Sequence, residues 1–296
     1  MPVTSYLIIG YKRYESLKNI VEKLFVLDIT KIYVCLDGPK NDEDILVQEQ
    51  IKKYLDTRKH DLDIKTLFSN ENLGCRKNVS RAIDWFFTFE KMGVILEDDL
   101  KFDTQAIVFL EKALKHFQTI ENVGVVTAYS ALDKEVFKVP NQELIVSFPS
   151  SWAWGTWKDR WEKYRDVEKR MNKLTFSLMF FKYGGIAGFR RWNSIRKKIL
   201  KDELDSWAYI WLFTNLKHHF LTVIPTSNLV ENIGFDEHAT HTKHGKSNSI
   251  KVNKKEIDIE TFERNFERNK LLDKWYLKNV YGIYNYKERI KNKLIK

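Results

Sequence analysis

Residues 5–37, SYLIIGYKRYESLKNIVEKLFVLDITKIYVCLD, contain the pattern that decides the fold class of this chain. The apolar run at 5–11 predicts a buried strand. Residues 16–27 carry apolar side chains at helical spacing, and the run at 31–37 predicts a second strand. A strand, a helix and a strand in this order predict two parallel strands joined by a crossover helix.

The same alternation continues along the chain to residue 96. The patterns predict helices at 42–58 and 75–90, and strands at 63–69 and 92–96. We therefore expect an α/β fold with a Rossmann-like, mostly parallel sheet and helices on both of its faces. In such a sheet, ligands bind at the carboxyl ends of the strands.

Three consecutive acids, Glu97, Asp98 and Asp99, follow the last of these strands in the stretch GVILEDDLKF (93–102). Carboxylates crowded at the end of a buried strand are unfavourable unless a cation shares the site. One acid can cap the next helix and another can pair with Lys or Arg. Three acids exceed these needs, so the stretch predicts Mn²⁺ or Mg²⁺ bound together with phosphate oxygens.

The familiar nucleotide-binding loops are absent from the sequence. The first predicted strand ends in GYKRYE (10–15), and the chain contains neither G-x-G-x-x-G nor G-x-x-x-x-G-K-[ST]. This excludes the common dinucleotide-dependent enzymes and P-loop proteins. A nucleotide held by side chains and a metal remains possible.

Four tryptophans lie within ten positions in the segment SSWAWGTWKDRW (150–161). Thr156 and Asp159 form a candidate capping box, which predicts that the last two tryptophans share one face of a helix in the core. Trp152 and Trp154 precede that helix in a predicted loop. Exposed rings there suit stacking on sugar faces, although packing in the interior is the alternative.

The segment 202–219 predicts an amphipathic helix that opens at Asp205 or Ser206. Asp205 is then either an N-cap and nothing more, or a functional carboxylate held at a helix start. A polar loop further along carries three histidines, whose spacing is a weak metal signal: His238, His241 and His244.

The composition is that of a folded protein with one large core, or a core and a smaller lobe: 296 residues, 43% hydrophobic and 14% aromatic. We expect no secretory leader at the N-terminus, and no apolar run approaches the ~20 residues that span a bilayer. Cys35 and Cys75 predict neither a disulfide framework nor a zinc site, so a soluble protein of a reducing compartment is expected.

The formal net charge of +10 favours polyanionic partners. Part of the excess lies in the C-terminal YKERIKNKLIK (286–296), where basic residues surround Ile290, Leu294 and Ile295. This tail is either a solvated basic end or an interfacial helix on anionic lipid.

Six motifs in a fixed order resemble those of a known enzyme family. They are LDGP (36–39), NENLGCRKNVSRAIDWFF (70–87), GVILEDDL (93–100), SSWAWGTW (150–157), DSWAYIW (205–211) and NLVENIGF (228–235) with HATHT (238–242). Their combination, which spans residues 5 to 242, resembles bacterial nucleotide-sugar glycosyltransferases with the GT-A fold. It looks most like the branch related to N-acetylglucosaminyltransferase I, in which the metal motif is Glu-Asp-Asp.

The resemblance implies a metal role for the three acids. Asp99, as the last acid of the motif, would bind Mn²⁺ or Mg²⁺ directly against the donor diphosphate. Asp98 would contact the ribose or the sugar, and Glu97 would support the site. His241, in the loop that resembles a lid over the donor, would be a further metal or diphosphate contact.

Nucleotide-binding roles follow from the same resemblance. Tyr11, Arg13 and Asp37 would line the base and ribose. Arg76, at the start of the helix after NLGC, would face the nucleotide or the diphosphate.

The resemblance also implies that Asp205 is the general base of an inverting transfer, which takes the proton from the acceptor hydroxyl. The family motif often has a second acid shortly after the tryptophan, whereas this chain has Ala208. Asp205 is therefore the one residue assigned as the general base, and Glu203 is the alternative. Trp152 and Trp154 are the expected acceptor contacts.

We thus expect a metal-dependent glycosyltransferase that uses a nucleoside-diphosphate sugar, UDP-sugars being favoured, and a glycan or lipid-linked acceptor of surface-polysaccharide assembly. The expected domains are a catalytic unit at 1–245, with halves at 1–130 and 131–245, and a helical basic extension at 246–296. We expect a cytoplasmic protein at the inner face of the cell membrane, without a nucleic-acid partner. Two alternatives stay open: a sugar nucleotidyltransferase, and a non-enzymatic basic protein that binds membrane or nucleic acid.

Overall fold

A computed structural model describes residues 4–132, 143–234 and 268–284 of the chain. The strands are β1 (Ser5–Gly10), β2 (Lys31–Leu36), β3 (Asp63–Phe68), β4 (Met92–Glu97), β5 (Leu100–Phe102), β6 (Val123–Thr127), β7 (Glu143–Val146), β8 (Trp154–Trp157), β9 (Leu221–Pro225) and β10 (Val230–Asn232). The helices are α1 (Tyr14–Val26), α2 (Asp42–Arg58), α3 (Cys75–Phe89), α4 (Thr104–Phe117), α5 (Lys158–Trp161), α6 (Lys163–Arg170), α7 (Leu174–Leu178), α8 (Gly185–Leu200), α9 (Trp207–His218) and α10 (Lys270–Asn279), with a 3₁₀ helix at Met179–Lys182.

Eight of these strands form one sheet in the order β3-β2-β1-β4-β8-β6-β9-β7. The strands β3, β2, β1 and β4 are parallel neighbours, and β6 is parallel to β9. The strand β8 runs antiparallel between β4 and β6, and β7 runs antiparallel at the edge. The predicted α/β fold with a mostly parallel sheet is therefore confirmed.

Helices cover both faces of this sheet. Apolar side chains of α1, α2 and α4 pack on one face, and those of α3, α8, α9 and α10 pack on the other. Successive residues of β1 alternate between the two cores, because side chains of a strand point alternately to its two faces. Each buried strand is consequently apolar along its whole length, which is why the first strands were visible as continuous apolar runs.

The segment with four tryptophans folds differently from its prediction, and the capping box at Thr156 and Asp159 is wrong. Residues Trp154–Trp157 form β8, paired with β4 on one side and β6 on the other. The Thr156 hydroxyl donates a hydrogen bond to the Gly124 carbonyl at 2.7 Å, inside the sheet. Two flanking ladders hold this stretch extended, so Trp157 lies in the strand, while Trp161 lies in α5.

The C-terminal helix α10 packs against the sheet. The buried Asp273 carboxylate accepts hydrogen bonds from the Ser147 backbone N–H and hydroxyl, both at 2.8 Å. The Tyr276 ring stacks on Phe148. The described part of the predicted 246–296 extension is thus a helix fixed to the body of the protein. The basic tail at 285–296 and the three histidines of the polar loop lie outside the described residues.

A small second sheet pairs β10 with β5, with Asn232 opposite Leu100. This pairing carries residues 232–234 next to the three acids that precede β5. Within the ranges that the structure describes, no helix is long and apolar enough to cross a lipid bilayer.

Candidate active site

A cavity of about 450 Å³ opens at the carboxyl ends of β1, β2 and β4. Its lining residues come from loops that are far apart in the sequence: Ile9, Gly10, Tyr11, Arg13, Asp37, Lys40, Asn72, Gly74, Cys75, Asn78, Val79, Glu97, Asp98, Asp99, Trp152, Asp205, Asn232 and Gly234. Most of the residues predicted to bind a nucleotide sugar therefore meet in one place.

Strand register explains this convergence. Ile9 of β1 lies opposite Glu97 of β4, and Gly10 lies opposite Leu36 of β2, so the loops that follow these strands begin side by side. Because β8 is antiparallel to β4, the residues before β8 lie at this same edge. That places Trp152 in the lining.

The negative charge of Asp98 is partly balanced by groups of the loop that follows β1. Its carboxylate accepts a hydrogen bond from the Tyr11 backbone N–H at 2.8 Å, and its other oxygen lies 3.2 Å from the Arg13 guanidinium. Burial raises the pKa of the Asp98 carboxyl, while Arg13 and the Tyr11 N–H act in the opposite direction. Arg13 is thus the cation in direct contact with this cluster of three acids.

Glu97 and Asp99 are left with an excess of negative charge. Burial, followed by the charges of Asp99 and Asp98, raises the pKa of Glu97 well above its ordinary value. Burial and the charge of Asp98 likewise raise the pKa of Asp99, which an Asn232 hydrogen bond partly offsets. Oxygen Oδ1 of Asp99 is buried and has no hydrogen-bond partner among the described residues. A buried carboxylate oxygen without a partner is the kind of ligand that Mg²⁺ or Mn²⁺ takes.

The described residues contain no group of three or more His, Cys, Asp or Glu side chains arranged to hold a metal ion. Mg²⁺ is commonly bound through one or two carboxylates together with substrate phosphates, rather than by a complete protein cage. Asp99 can supply such a carboxylate from the floor of the cavity.

Gly234 packs directly against Asp99. A Cβ atom at this position would lie 2.4 Å from Asp99 Oδ2, and the neighbouring Ile233 N–H donates to the Asp99 carbonyl at 2.8 Å. Any larger residue at position 234 would therefore collide with the Asp99 carboxylate. Asn232 and Gly234 were not predicted to line the site, although both lie in the NLVENIGF motif.

Asp205 is not the cap of its own helix. The Ser206 side chain caps α9 by accepting from the Tyr209 N–H. Asp205 Oδ1 instead accepts from the Arg76 N–H at 3.2 Å, in the first turn of α3. An anion is stabilised at a helix N-terminus by free N–H groups and by the helix dipole. Asp205 is thereby fixed at the cavity that the three acids also line.

Gly74 at the start of α3 makes room for Asp205. Its φ is +78°, and a Cβ atom there would lie 2.7 Å from Asp205 Oδ2. We expect Gly74→Ala to displace the Asp205 carboxylate and to lower turnover roughly tenfold or more, because small displacements of a catalytic group are costly.

Gly185→Ala is the matched control for Gly74→Ala. Gly185 also has a positive φ, +61°, but nothing lies within 4 Å of the added atom. Both variants place alanine at positive φ, and the strain is larger at Gly74, whose ψ is 167°, so the melting temperature of each variant is needed to account for it. A thermal melt and a turnover measurement on each separate strain from displacement, and equal turnover in the two variants would contradict the role of Gly74.

Asp37 holds the edge of the cavity together. Its carboxylate accepts hydrogen bonds from three backbone N–H groups, those of Gly38 at 2.9 Å, Leu73 at 2.8 Å and Gly74 at 3.1 Å. Burial raises its pKa, and these three donors oppose the rise. Asp37 thus ties the loop after β3 to the end of β2, in addition to lining the cavity.

Two predicted site residues need correction. The Arg76 guanidinium binds Asp202 at 2.6 Å and the Ile199 carbonyl at 3.3 Å, so it points toward the end of α8 and does not line the cavity. Trp154 is 0% exposed and packs on Trp207, so the expectation of an exposed ring is wrong. Its position in β8 turns the ring into the core.

Trp152 does line the cavity, two residues before Trp154. Its ring makes an edge contact with Tyr129 at a centroid distance of 4.6 Å. Ala153, between the two tryptophans, has a φ of +45°, which is costly for a residue with a side chain. This bend separates a half-buried ring at the site from a buried ring in the core. His241 lies outside the described residues and stays a prediction.

The cavity also contains residues that were not predicted: Lys40, Asn72, Cys75, Asn78 and Val79. All except Lys40 lie within the motif NENLGCRKNVSRAIDWFF, and Lys40 directly follows LDGP. The motifs therefore marked the right segments, but helical spacing in α3 was needed to tell which side chains face the cavity.

No protein-family model matches the chain, and no curated protein matches it. Several solved structures are similar in fold. A UDP-glucose pyrophosphorylase aligns with a TM-score of 0.42 and 8% identity, over 75% of this chain and 90% of that one. A 4-diphosphocytidyl-2C-methyl-D-erythritol synthase from Anaerococcus prevotii aligns with a TM-score of 0.36 and 14% identity, over 58% and 80% of the two chains.

A glycosyltransferase involved in the glycosylation of the major capsid of PBCV-1 is also similar. It aligns with a TM-score of 0.30 and 13% identity, over 58% of this chain and 68% of that one. Similarities at this level assign no activity. The function has to be argued from the cavity itself.

Proposed function

We propose that this protein is a metal-dependent, inverting glycosyltransferase that uses a nucleoside-diphosphate sugar. The observation that carries the proposal is the presence of two separate carboxylate groups in one cavity. They are the acids 97–99 at the end of β4, and Asp205, which precedes α9 and is held by the N-terminus of α3. Transfer of a sugar needs both an anchor for the diphosphate and a base for the acceptor.

The acids at the end of β4 are the donor side of the proposed site. A divalent cation held by Asp99 would neutralise the charge that develops on the departing nucleoside diphosphate. Arg13 pairs with Asp98 at 3.2 Å and opposes the rise of its pKa that burial causes. Tyr11 and Asp37 line the same cavity. We assign these side chains to the base, ribose and sugar of the donor, and UDP is the nucleotide that the resemblance of the sequence favours.

Asp205 is the base in this proposal. The acceptor hydroxyl attacks the anomeric carbon, the bond from that carbon to the diphosphate oxygen breaks, and the hydroxyl proton passes to the Asp205 carboxylate. The hydrogen bond from the Arg76 N–H occupies one oxygen, Oδ1, and orients the group. Trp152 offers a half-buried ring for the acceptor sugar, a glycan or a lipid-linked sugar of surface-polysaccharide assembly.

The test is incubation of the full chain with Mn²⁺ and a panel of UDP-, GDP-, CDP- and dTDP-sugars. Water then serves as the acceptor, and we expect slow release of nucleoside diphosphate from at least one donor. A parallel incubation with nucleoside triphosphates and sugar 1-phosphates tests the main alternative. Release of pyrophosphate in that reaction, without donor hydrolysis, would show a nucleotidyltransferase, and no turnover in either reaction would contradict an enzyme of nucleotide sugars.

A further inference from the structure

Exposed apolar side chains lie where α7, the 3₁₀ helix and the start of α8 contact one another. Leu178 is 54% exposed, Phe181 is 43% exposed and Ile186 is 65% exposed. They lie on three successive elements that all contact one another, so we treat them as one patch rather than as scattered single side chains. We call it the α7–α8 patch.

Basic residues surround this patch. Residues 169–201 include ten Lys and Arg residues and no Asp or Glu, although the formal net charge of the entire chain is only +10. Of these ten, Lys173, Lys182, Arg190 and Arg191 are exposed and lie close in the sequence to the three apolar residues. An apolar cluster in a field of positive charge is unusual for a surface that faces only water.

Buried side chains and ring stacking support the α7–α8 patch from the interior of the protein. The Phe181 ring stacks on Phe189 of α8 at a centroid distance of 4.3 Å. The buried Trp192 donates its indole N–H to the Tyr183 carbonyl at 3.0 Å, and the neighbouring Phe180 is fully buried. The exposed side chains therefore sit on an ordered support, and their exposure is a feature of the folded surface.

We propose that the α7–α8 patch binds the surface of an anionic lipid bilayer. Apolar side chains beside Lys and Arg suit such a surface, because the apolar groups can enter the boundary of the acyl chains while the cations contact the lipid phosphates. A second copy of this chain fits less well, since two acid-free patches would bring like charges together. A polyanion in solution would not explain the exposed leucine, phenylalanine and isoleucine.

Residues beneath the patch connect through side-chain contacts to the acceptor side of the proposed active site, and this step rests on the proposed function. A Cβ atom at Gly184, directly before α8, would lie 2.9 Å from the Ile283 side chain, and Tyr281 makes an edge contact with Trp192 at 4.9 Å. Tyr281 in turn lines a second cavity of about 360 Å³, which shares Trp152 with the first. A membrane at the patch would bring lipid-linked sugars to that side.

Sedimentation with vesicles tests the proposal on the full chain. One vesicle preparation contains equal parts of phosphatidylcholine and phosphatidylglycerol, and the other contains phosphatidylcholine alone. We expect binding to the anionic vesicles only. The variant Phe181→Ser/Ile186→Ser should bind at least roughly tenfold more weakly, since it removes two large apolar side chains.

A charge variant and a control complete the experiment. Lys182→Gln/Arg190→Gln should weaken binding by roughly tenfold or more and reduce its salt dependence, because each basic residue near an anionic surface contributes to attraction. Leu46→Ser on α2 is the matched control, since Leu46 is 67% exposed in an acidic stretch. Its vesicle binding should equal that of the unchanged protein, and all variants should keep the same melting temperature.

Two results would overturn the proposal. Equal vesicle binding of the patch variants and the unchanged protein would assign any membrane contact to another part of the chain. A dimer in sedimentation velocity that the patch variants abolish, with vesicle binding unaffected, would make the patch a self-association surface. The vesicle assay contains no sugar nucleotide, so its outcome is independent of the proposed glycosyltransferase activity.

Discussion

Asp205→Asn is expected to slow donor turnover by roughly 10²–10⁴-fold while leaving the melting temperature and the affinity for nucleoside diphosphate nearly unchanged. The amide keeps the shape of the carboxyl group and can still accept the hydrogen bond from the Arg76 N–H, which is 3.2 Å long in the present arrangement. It cannot take a proton from the acceptor. Release of nucleoside diphosphate under single-donor conditions, calorimetric titration and a thermal melt on one preparation measure all three quantities.

Ser206→Ala is the control that the structure provides for this variant. Ser206 is the residue that caps α9, so its loss should cost about 1 kcal/mol of stability and leave turnover intact. The two neighbouring substitutions thus separate capping from catalysis. Near-normal turnover of Asp205→Asn would mean that the base lies elsewhere, and Glu203 would be tested next.

Asp99→Asn is expected to abolish the metal-dependent part of nucleoside-diphosphate binding. The variant removes the charge of a carboxyl group whose Oδ1 is buried without a hydrogen-bond partner among the described residues. Calorimetric titration of UDP with and without Mn²⁺ measures the effect, and we expect a loss of roughly 100-fold or more in the presence of the metal, in line with the loss of a close charge contact.

Stability provides a second readout of Asp99. Its folded-state pKa is raised, first by burial and then by Asp98, so the folded protein binds protons more readily than the unfolded chain. The contribution of this group to stability is therefore complete below about pH 4, the ordinary carboxyl value, and is lost as the pH rises through the elevated folded pKa. Asp99→Asn should melt at a higher temperature than the unchanged protein at neutral pH, and its melting temperature should fall less steeply with rising pH.

The matched control for Asp99→Asn is Asp103→Asn. Asp103 caps α4 through the Gln105 and Ala106 N–H groups and does not line the cavity. Asparagine caps a helix about as well as aspartate, so this variant should bind UDP and Mn²⁺ normally. A metal-dependent affinity that survives in Asp99→Asn would contradict the assignment of Asp99.

The alternation of strands and helices could be predicted because it depends on local spacing. Apolar runs marked the parallel strands, which are buried on both faces, and helical spacing marked α1 to α4. The strand β8 was missed because its partners, on β4 and β6, are 27 to 65 residues away in the sequence. The local sequence around Thr156 favours the start of a helix, but hydrogen bonding to β4 and β6 holds this segment in an extended conformation.

The residues of the candidate site likewise fall into those that the sequence could place and those that it could not. Parallel strands end at one edge of a sheet, so the sequence could place Asp37 and the acids 97–99 together without any structure. It could not separate Trp152 from Trp154, since both precede the same predicted helix. The left-handed Ala153 decides which ring lines the cavity, and that conformation follows from the packing of β8.

The sequence by itself determined the fold class, the strand-end acids and the candidate carboxylates, because these depend on periodicity and on the order of strands along the chain. Only the tertiary structure decided which group the Asp205 carboxylate binds. Its partner, the Arg76 N–H, is 129 residues away, and no spacing rule connects the two. The physical reason is that a helix N-terminus offers free N–H groups to whichever anion the rest of the fold brings to it, and here the start of α9 is brought to the start of α3.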